Sequence, residues 1–134
     1  MVRLKRLPYY YAMAGCLGLA SCASYQRSDL YFGRDIPGGG AVSEQQWKNF
    51  SDSVISTYFP EGYTEWDANG RWKDTETKQT ITEPTKVVTF FGRKTRERST
   101  AIDNVAQSYL RRFRQQSVLR TDSRSRVKFI SKAP

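Results

Sequence analysis

From Asp29 onward the apolar positions of the chain switch repeatedly between a period of two and a period of three to four, and each switch marks an element. Asp29-Leu30-Tyr31-Phe32-Gly33 is short, aromatic and bounded by the loop Asp35-Ile36-Pro37-Gly38-Gly39-Gly40, which predicts a first strand. Ser43 followed by Gln46 has the form of a capping box, in which the hydroxyl accepts from a first-turn N–H while the Gln side chain reaches back. Trp47, Phe50, Val54 and Tyr58 then recur at helical spacing with Ile55 beside them, predicting an amphipathic helix that Pro60 and Gly62 stop. Tyr63 to Asp67 predicts a second strand, Asn69-Gly70 a tight turn, and Arg71-Trp72-Lys73 the return arm of a hairpin.

After a polar loop over residues 74 to 80, Val87-Val88-Thr89-Phe90-Phe91 forms a nearly continuous run of β-branched and aromatic residues, the mark of a central strand buried on both faces. Ile102, Val105, Ala106, Tyr109 and Phe113 define a second amphipathic helix. Val118 to Thr121 and Val127 to Ile130 supply terminal strands parted by the polar turn Asp122 to Ser125. The order β-α-β-β-α-β predicts an α+β fold, a ferredoxin-like sandwich with an antiparallel sheet and two helices on one face. Because the 87–91 run, Trp66 and Trp72 make the second face apolar too, that face is expected to be covered by the hairpin, a second protomer or an apolar ligand. Tyr31, Trp66, Trp72, Glu83 and Phe90 are the candidate pocket or interface residues.

The first 21 residues have a different character. Arg3, Lys5 and Arg6 precede an apolar stretch from Leu7 to Ala20 that contains no acid and is broken by Pro8, Gly15 and Gly18. It is too short for a membrane span, which takes about 20 apolar residues, and has the form of an export signal. It ends Leu19-Ala20-Ser21-Cys22, which resembles the lipobox of bacterial lipoprotein precursors. That resemblance implies recognition by signal peptidase at Leu19, Ala20 and Ser21 and lipidation of Cys22. Several acyl chains there would anchor the protein without a transmembrane helix. Ala23 after the cysteine implies an outer-membrane lipoprotein facing the periplasm rather than one retained at the inner membrane. The expected organisation is a signal peptide over 1–21, a lipidated tether over 22–28 and one α+β domain over 29–134.

Within that domain, Leu30-Tyr31-Phe32-Gly33, Val42-Ser43 with Trp47, Phe59-Pro60 with Gly62 and Thr64, Gly70 with Trp72, and Glu83-Pro84-Thr85-Lys86 together resemble the bacterial domain-of-unknown-function family 3574 over Asp29 to Ile130. The family consists of small secreted proteins and lipoproteins and brings no activity, substrate or catalytic residue with it. Thr85 stands where Ser is more usual, and the chain from Arg93 onward is more cationic than the family pattern.

Composition narrows the chemistry. The 134 residues carry 22 Lys and Arg against 13 Asp and Glu, a net charge of +9, with no His and two Cys. A His-based triad or general base is excluded, and removal of Cys16 with the signal together with lipidation of Cys22 excludes cysteine redox chemistry. The charge is uneven: residues 22–85 hold six basic and ten acidic side chains, while residues 86–134 hold 13 basic and three acidic. Arg111, Arg112, Arg114 and Arg120 form the candidate anion-binding set, suited to phospholipid headgroups, lipopolysaccharide phosphates or an acidic partner, while Arg111, Arg112 and Arg114 also complement a helix carboxyl end.

Several other chemistries find little support. Glu65 and Asp67, two apart on a strand, could share a face as a carboxylate pair, although an indole between them reads more plainly as strand alternation. Gly38-Gly39-Gly40 lacks the Lys-Ser/Thr of a nucleotide loop, and no metal or cofactor is implied. RNA recognition modules share this element order, but Lys86 to Phe91 lacks their glycine-containing aromatic motif, so nucleic acid is not an expected partner. The expected partners are the membrane, through the lipid, with a homodimer and an envelope protein or anionic envelope component as further candidates. The functional expectation is a binding or structural module at the cell envelope. The alternative is a small cofactorless enzyme using an apolar pocket of a dimeric ferredoxin-like barrel. Catalytic residues are unassigned.

Overall fold

The computed structural model describes residues 24–132; the signal segment, Leu19 to Ser21 and Cys22 lie outside the described residues. Four strands form one antiparallel sheet in the order β2-β3-β1-β4: β1 (Tyr25–Gly33), β2 (Thr64–Lys73), β3 (Thr80–Arg93) and β4 (Leu119–Ser125). The first helix, α1, runs from Glu44–Phe50 through a π-helical stretch, Ser51–Ile55, to a last turn, Ser56–Tyr58. The second, α2, spans Arg96–Phe113. The element order is therefore β-α-β-β-α-β, as the periodicities predict.

The capping box forms as expected: Ser43 Oγ accepts from Gln46 N at 3.2 Å, and Gln46 Oε1 accepts from Ser43 N at 2.9 Å. Thr95 caps α2 in the simpler way, its hydroxyl accepting from Arg98 N at 3.1 Å. Both helices pack on the sheet face that carries Leu30, Phe32, Val88 and Phe90, burying Trp47, Phe50, Ile55, Ile102, Val105, Tyr109 and Phe113 in one core. Phe32, Phe50, Tyr109 and Phe113 meet largely edge to face, the arrangement that aromatic quadrupoles favour. Among the described residues, every strand pairing and every core residue lies between Tyr25 and Ser125.

Four boundaries differ from the sequence reading. The first strand begins at Tyr25, so four residues read as tether belong to the sheet. Asn69-Gly70 makes no turn: β2 runs straight through, with Asn69 opposite Pro84 and Gly70 opposite Glu83. The reversal comes instead at residues 74–79, where Asp74 N donates to Gln79 O at 2.9 Å and Asp74 Oδ1 accepts from the N–H groups of Glu76 and Thr77. An Asp side chain closing its own turn supplies the signal that the Asn-Gly pair only mimics. The hairpin expected to cover the second sheet face is thus part of the sheet.

Asp122 to Ser125 is strand rather than turn, because the longer β1 offers it partners: Tyr25 lies opposite Ser125 and Ser28 opposite Asp122. Val127 to Ile130 is left outside the sheet, with Phe129 and Ile130 85% and 88% exposed.

Registers give the sheet two ends. Tyr25, Arg93 and Ser125 are aligned at the end where the chain enters; Gly33, Thr80, Lys73 and Leu119 mark the other end, with the carboxyl end of α2 beside them. These are called the entry pole and the distal pole below.

Candidate functional site

Strand alternation puts Tyr31, Trp66, Trp72 and Glu83 on the sheet face away from the helices. Phe90 is not with them. It sits on the helix face, fully buried, with its ring 4.3 Å from that of Phe59, and is a core residue. The near-continuous run 87–91 conceals its alternation, so Phe90 cannot be separated from Phe91 by pattern alone. Phe91 is the half-exposed one.

The open face mixes apolar and polar positions. Trp66 and Trp72 are 44% and 45% exposed, while Val87 between the strands is buried. Asp29, also buried, accepts from Arg27 Nε at 2.9 Å and from Thr89 Oγ1 at 2.6 Å, so its charge is paired along β1 and hydrogen-bonded across to β3.

At the distal pole this face deepens into a cleft of about 930 Å³. Its geometry follows from register. Glu83 lies opposite Gly70 on one side, and the position diagonally across on β1 is Gly33, paired with Thr85. Both flanking strands are therefore bare where Glu83 emerges, and Ala68 and Thr85 keep the next row low. Trp72 and Ile81, paired across β2 and β3, wall one side; Tyr31 and Leu119, paired across β1 and β4, wall the other. The loop Asp35-Ile36-Pro37 and residues Gln115 to Ser117 close the end, held together by Gln115 Nε2 donating to Asp35 O at 2.8 Å.

Glu83 leans over Gly33: a Cβ at Gly33 would stand 2.3 Å from Glu83 Oε1. That oxygen accepts from Asp35 N at 3.1 Å. Burial pushes the Glu83 carboxyl above the usual carboxylate range; the Asp35 N–H works against the shift and the Asp35 charge adds to it. The charged residues lining the cleft are Glu83, Asp35 and Arg71, the last alternating to the opposite face from Trp72. Tyr31, Trp72 and Glu83, three of the residues singled out in the sequence, thus line one cleft; Trp66 lies on the same face beyond its lining. Asp35, Gln115 and the two small positions Gly33 and Gly70 are the members that sequence reasoning missed, because their part depends on register and loop closure.

The other candidate constellations disperse. Glu65 and Asp67 point to the helix side and take separate partners: Glu65 Oε2 accepts from Trp47 Nε1 at 3.1 Å and Ser51 Oγ at 3.0 Å, and Asp67 pairs with Lys86 at 2.7 Å. Among the described residues no group of three metal-ligating side chains gathers. The anion-binding set also divides. Arg111 and Arg112 occupy the last turn of α2 and Arg114 its left-handed cap, all toward the distal pole. Arg120 is drawn inward on β4, where Asp103 and Asp122 pair with it at 2.6 and 3.1 Å and Ser99 O accepts from it. No described helix is long and apolar enough to cross a membrane.

The family model described as "Protein of unknown function (DUF3574)" matches residues 27–129. No curated protein matches the chain. Among solved structures, a phage SAM lyase in its apo state is similar with a TM-score of 0.57 at 11% identity, covering 76% of this chain and 82% of that one. The same description, a phage SAM lyase, in complex with S-methyl-5'-thioadenosine, is similar with a TM-score of 0.56 at 10% identity, covering 76% and 81%. At such identities the likeness is one of fold.

Proposed function

The chain belongs to the DUF3574 family, whose description names no activity, and from that premise we propose that it is a ferredoxin-like, lipid-anchored binding protein of the cell envelope. Its lipobox-like Leu19-Ala20-Ser21-Cys22 supports an outer-membrane lipoprotein facing the periplasm. The strand order and the placement of both helices on one core support the ferredoxin-like reading. The distal cleft is the binding site, and its ligand is a small organic molecule bearing a cationic group.

The observation that carries this reading is the Glu83 carboxyl, lodged over Gly33 on a strip cleared of side chains and walled by Trp72 and Tyr31. Two carboxylates against one guanidinium favour a cation, aromatic faces add cation–π attraction, and a carboxylate desolvated by the fold gains most from a charged partner. Titration of benzyltrimethylammonium, which joins a quaternary cation to a ring, tests it by Trp fluorescence. Binding that weakens at least about tenfold in both Glu83→Gln and Trp72→Ala supports the cleft, and unchanged binding in both contradicts it.

The fold likeness to a phage SAM lyase favours a second reading, a cofactorless enzyme in which the Tyr31 phenol and Glu83 act on such a cation. S-adenosylmethionine, a sulfonium attached to an adenine nucleoside, is its first test substrate. Release of S-methyl-5'-thioadenosine that Glu83→Gln abolishes would support the enzyme; binding without turnover supports the binding protein.

A further inference from the structure

The cleft occupies the pole away from the chain's entry, and the entry pole has a chemistry of its own. Lys94 N donates to Ser24 O at 3.0 Å, so the first described residue is fastened to the loop that follows β3. Arg93 closes β3, Lys94 lies in that loop and Arg96 opens α2, while β4, on the other side of β1, ends at the same pole with Arg124, followed by Arg126 and Lys128. Among the described residues none of these six side chains has a hydrogen-bond or ion-pair partner, whereas nearby Arg27 and Arg98 are spent on Asp29 and Glu61. Among the described residues the unpaired acid of this region is Glu97; Glu61 is taken up by Arg98, and Asp122 by Arg120, Ser28 and Gln26. After the cations come Phe129 and Ile130, the two most exposed large apolar side chains among the described residues.

We infer that the entry pole is a membrane-docking surface, on which Arg93, Lys94, Arg96, Arg124, Arg126 and Lys128 meet the anionic headgroups of a phospholipid bilayer while Phe129 and Ile130 enter its interface. The inference rests on the lipid-anchor reading for its geometry. Two residue steps separate Ser24 from Cys22, at most about 7 Å of extended chain. A Cys22 held at headgroup depth therefore keeps Ser24 and its bonded partner Lys94 within roughly one Debye length of the lipid charges, about 8 Å at physiological ionic strength. Cations this close are attracted strongly, and apolar side chains beside a basic patch are the usual composition of an interfacial anchor. This surface is separate from the set Arg111, Arg112, Arg114 and Arg120 and uses the cations that register gathers around the chain's entry. With this pole on the bilayer, the distal cleft opens away from it.

The test uses residues 23–134, which hold all the described strands and core, without lipid, so that its outcome is independent of lipidation at Cys22. Co-sedimentation is measured with vesicles of phosphatidylglycerol and of phosphatidylcholine. The expected result is partition onto phosphatidylglycerol that salt reverses and that R93Q/K94Q/R96Q lowers on the order of 100-fold. Phe129→Ser with Ile130→Ser lowers it further, and the distal pair Lys73→Gln with Arg114→Gln leaves it unchanged. Thermal unfolding of each variant should match the parent, since these side chains have no partners to lose. Absence of binding, equal partition onto the two lipids, or equal losses from the entry and distal substitutions would overturn the docking surface. Membrane association of the full chain that survives Cys22→Ser while the unlipidated unit fails to bind vesicles would overturn the anchor and the docking surface together.

Discussion

Gly33 and Glu83 share a volume that one side chain alone can occupy. A Cβ on Gly33 would fall 2.3 Å from Glu83 Oε1 and 2.8 Å from its Cδ, so the carboxyl rests where Gly33 has no side chain. This relationship makes the distal cleft: the absence of a side chain at one position lets an acid lie down on the sheet, within reach of Asp35 N and partly withdrawn from water.

Gly33→Ala should therefore act on the acid more than on the backbone. The carboxyl is the flexible end of its side chain and can move, so the expected outcome is a folded protein in which Glu83 no longer accepts from Asp35 N. Faster hydrogen exchange at the Asp35 amide, with exchange in the α2 core unchanged, checks it.

Glu83→Gln should remove a pH dependence. Burial raises the carboxyl in the folded chain above its ordinary value of 4.5, so folding favours the protonated form. The stability gained from this is complete below the unfolded value and is lost as pH rises through the folded one. The amide cannot ionise and keeps an oxygen for Asp35 N. Urea unfolding between about pH 4 and 8 should show a flatter profile for the variant, with the variant at least as stable as the parent at the alkaline end.

Much of the fold is legible in the sequence because it depends on neighbours three or four residues apart. The Ser43 and Gln46 cap and the apolar stripes of both helices are such local features. The turn at residues 74–79 was hidden because Asn69-Gly70 carries the stronger dipeptide signal, although Gly70 is extended and faces Glu83. The reach of β4 is not visible in the sequence because its polar residues Asp122 and Ser123 pair through the backbone, and the Asp122 side chain serves a network with Ser28, Gln26 and Arg120 rather than a core. Tyr31, Trp72 and Glu83 could be suspected as unusual residues on strands. That they line one cleft, and that Phe90 does not, follows from register, which a single sequence does not specify in a run such as 87–91.

Tyr109→Phe should cost about 1 kcal/mol in urea unfolding. The buried Tyr109 hydroxyl donates to Gly33 O at 2.9 Å, tying α2 to the last residue of β1, and burial holds its phenol well above the usual tyrosine range. The aromatic ring and its edge contacts with Phe32 and Phe50 remain in the variant. Tyr109→Ala, which removes the ring as well, should cost about 3–5 kcal/mol.

Cys22→Ser in the full chain should abolish incorporation of labelled palmitate and block processing, so that the unprocessed form accumulates. Gel mobility and label report the two together. Labelled, processed protein in the variant would contradict the anchor.

The central claim is that the cleft over Gly33 is where this protein meets its ligand. Its most direct test is a nitrogen–proton correlation spectrum of residues 23–134 titrated with benzyltrimethylammonium. The account predicts shifts concentrated at the amides of Gly33, Asp35, Gly70 and Glu83 and the Trp72 indole, abolished by Glu83→Gln. Shifts confined to the entry pole, or a spectrum that does not change, would contradict it.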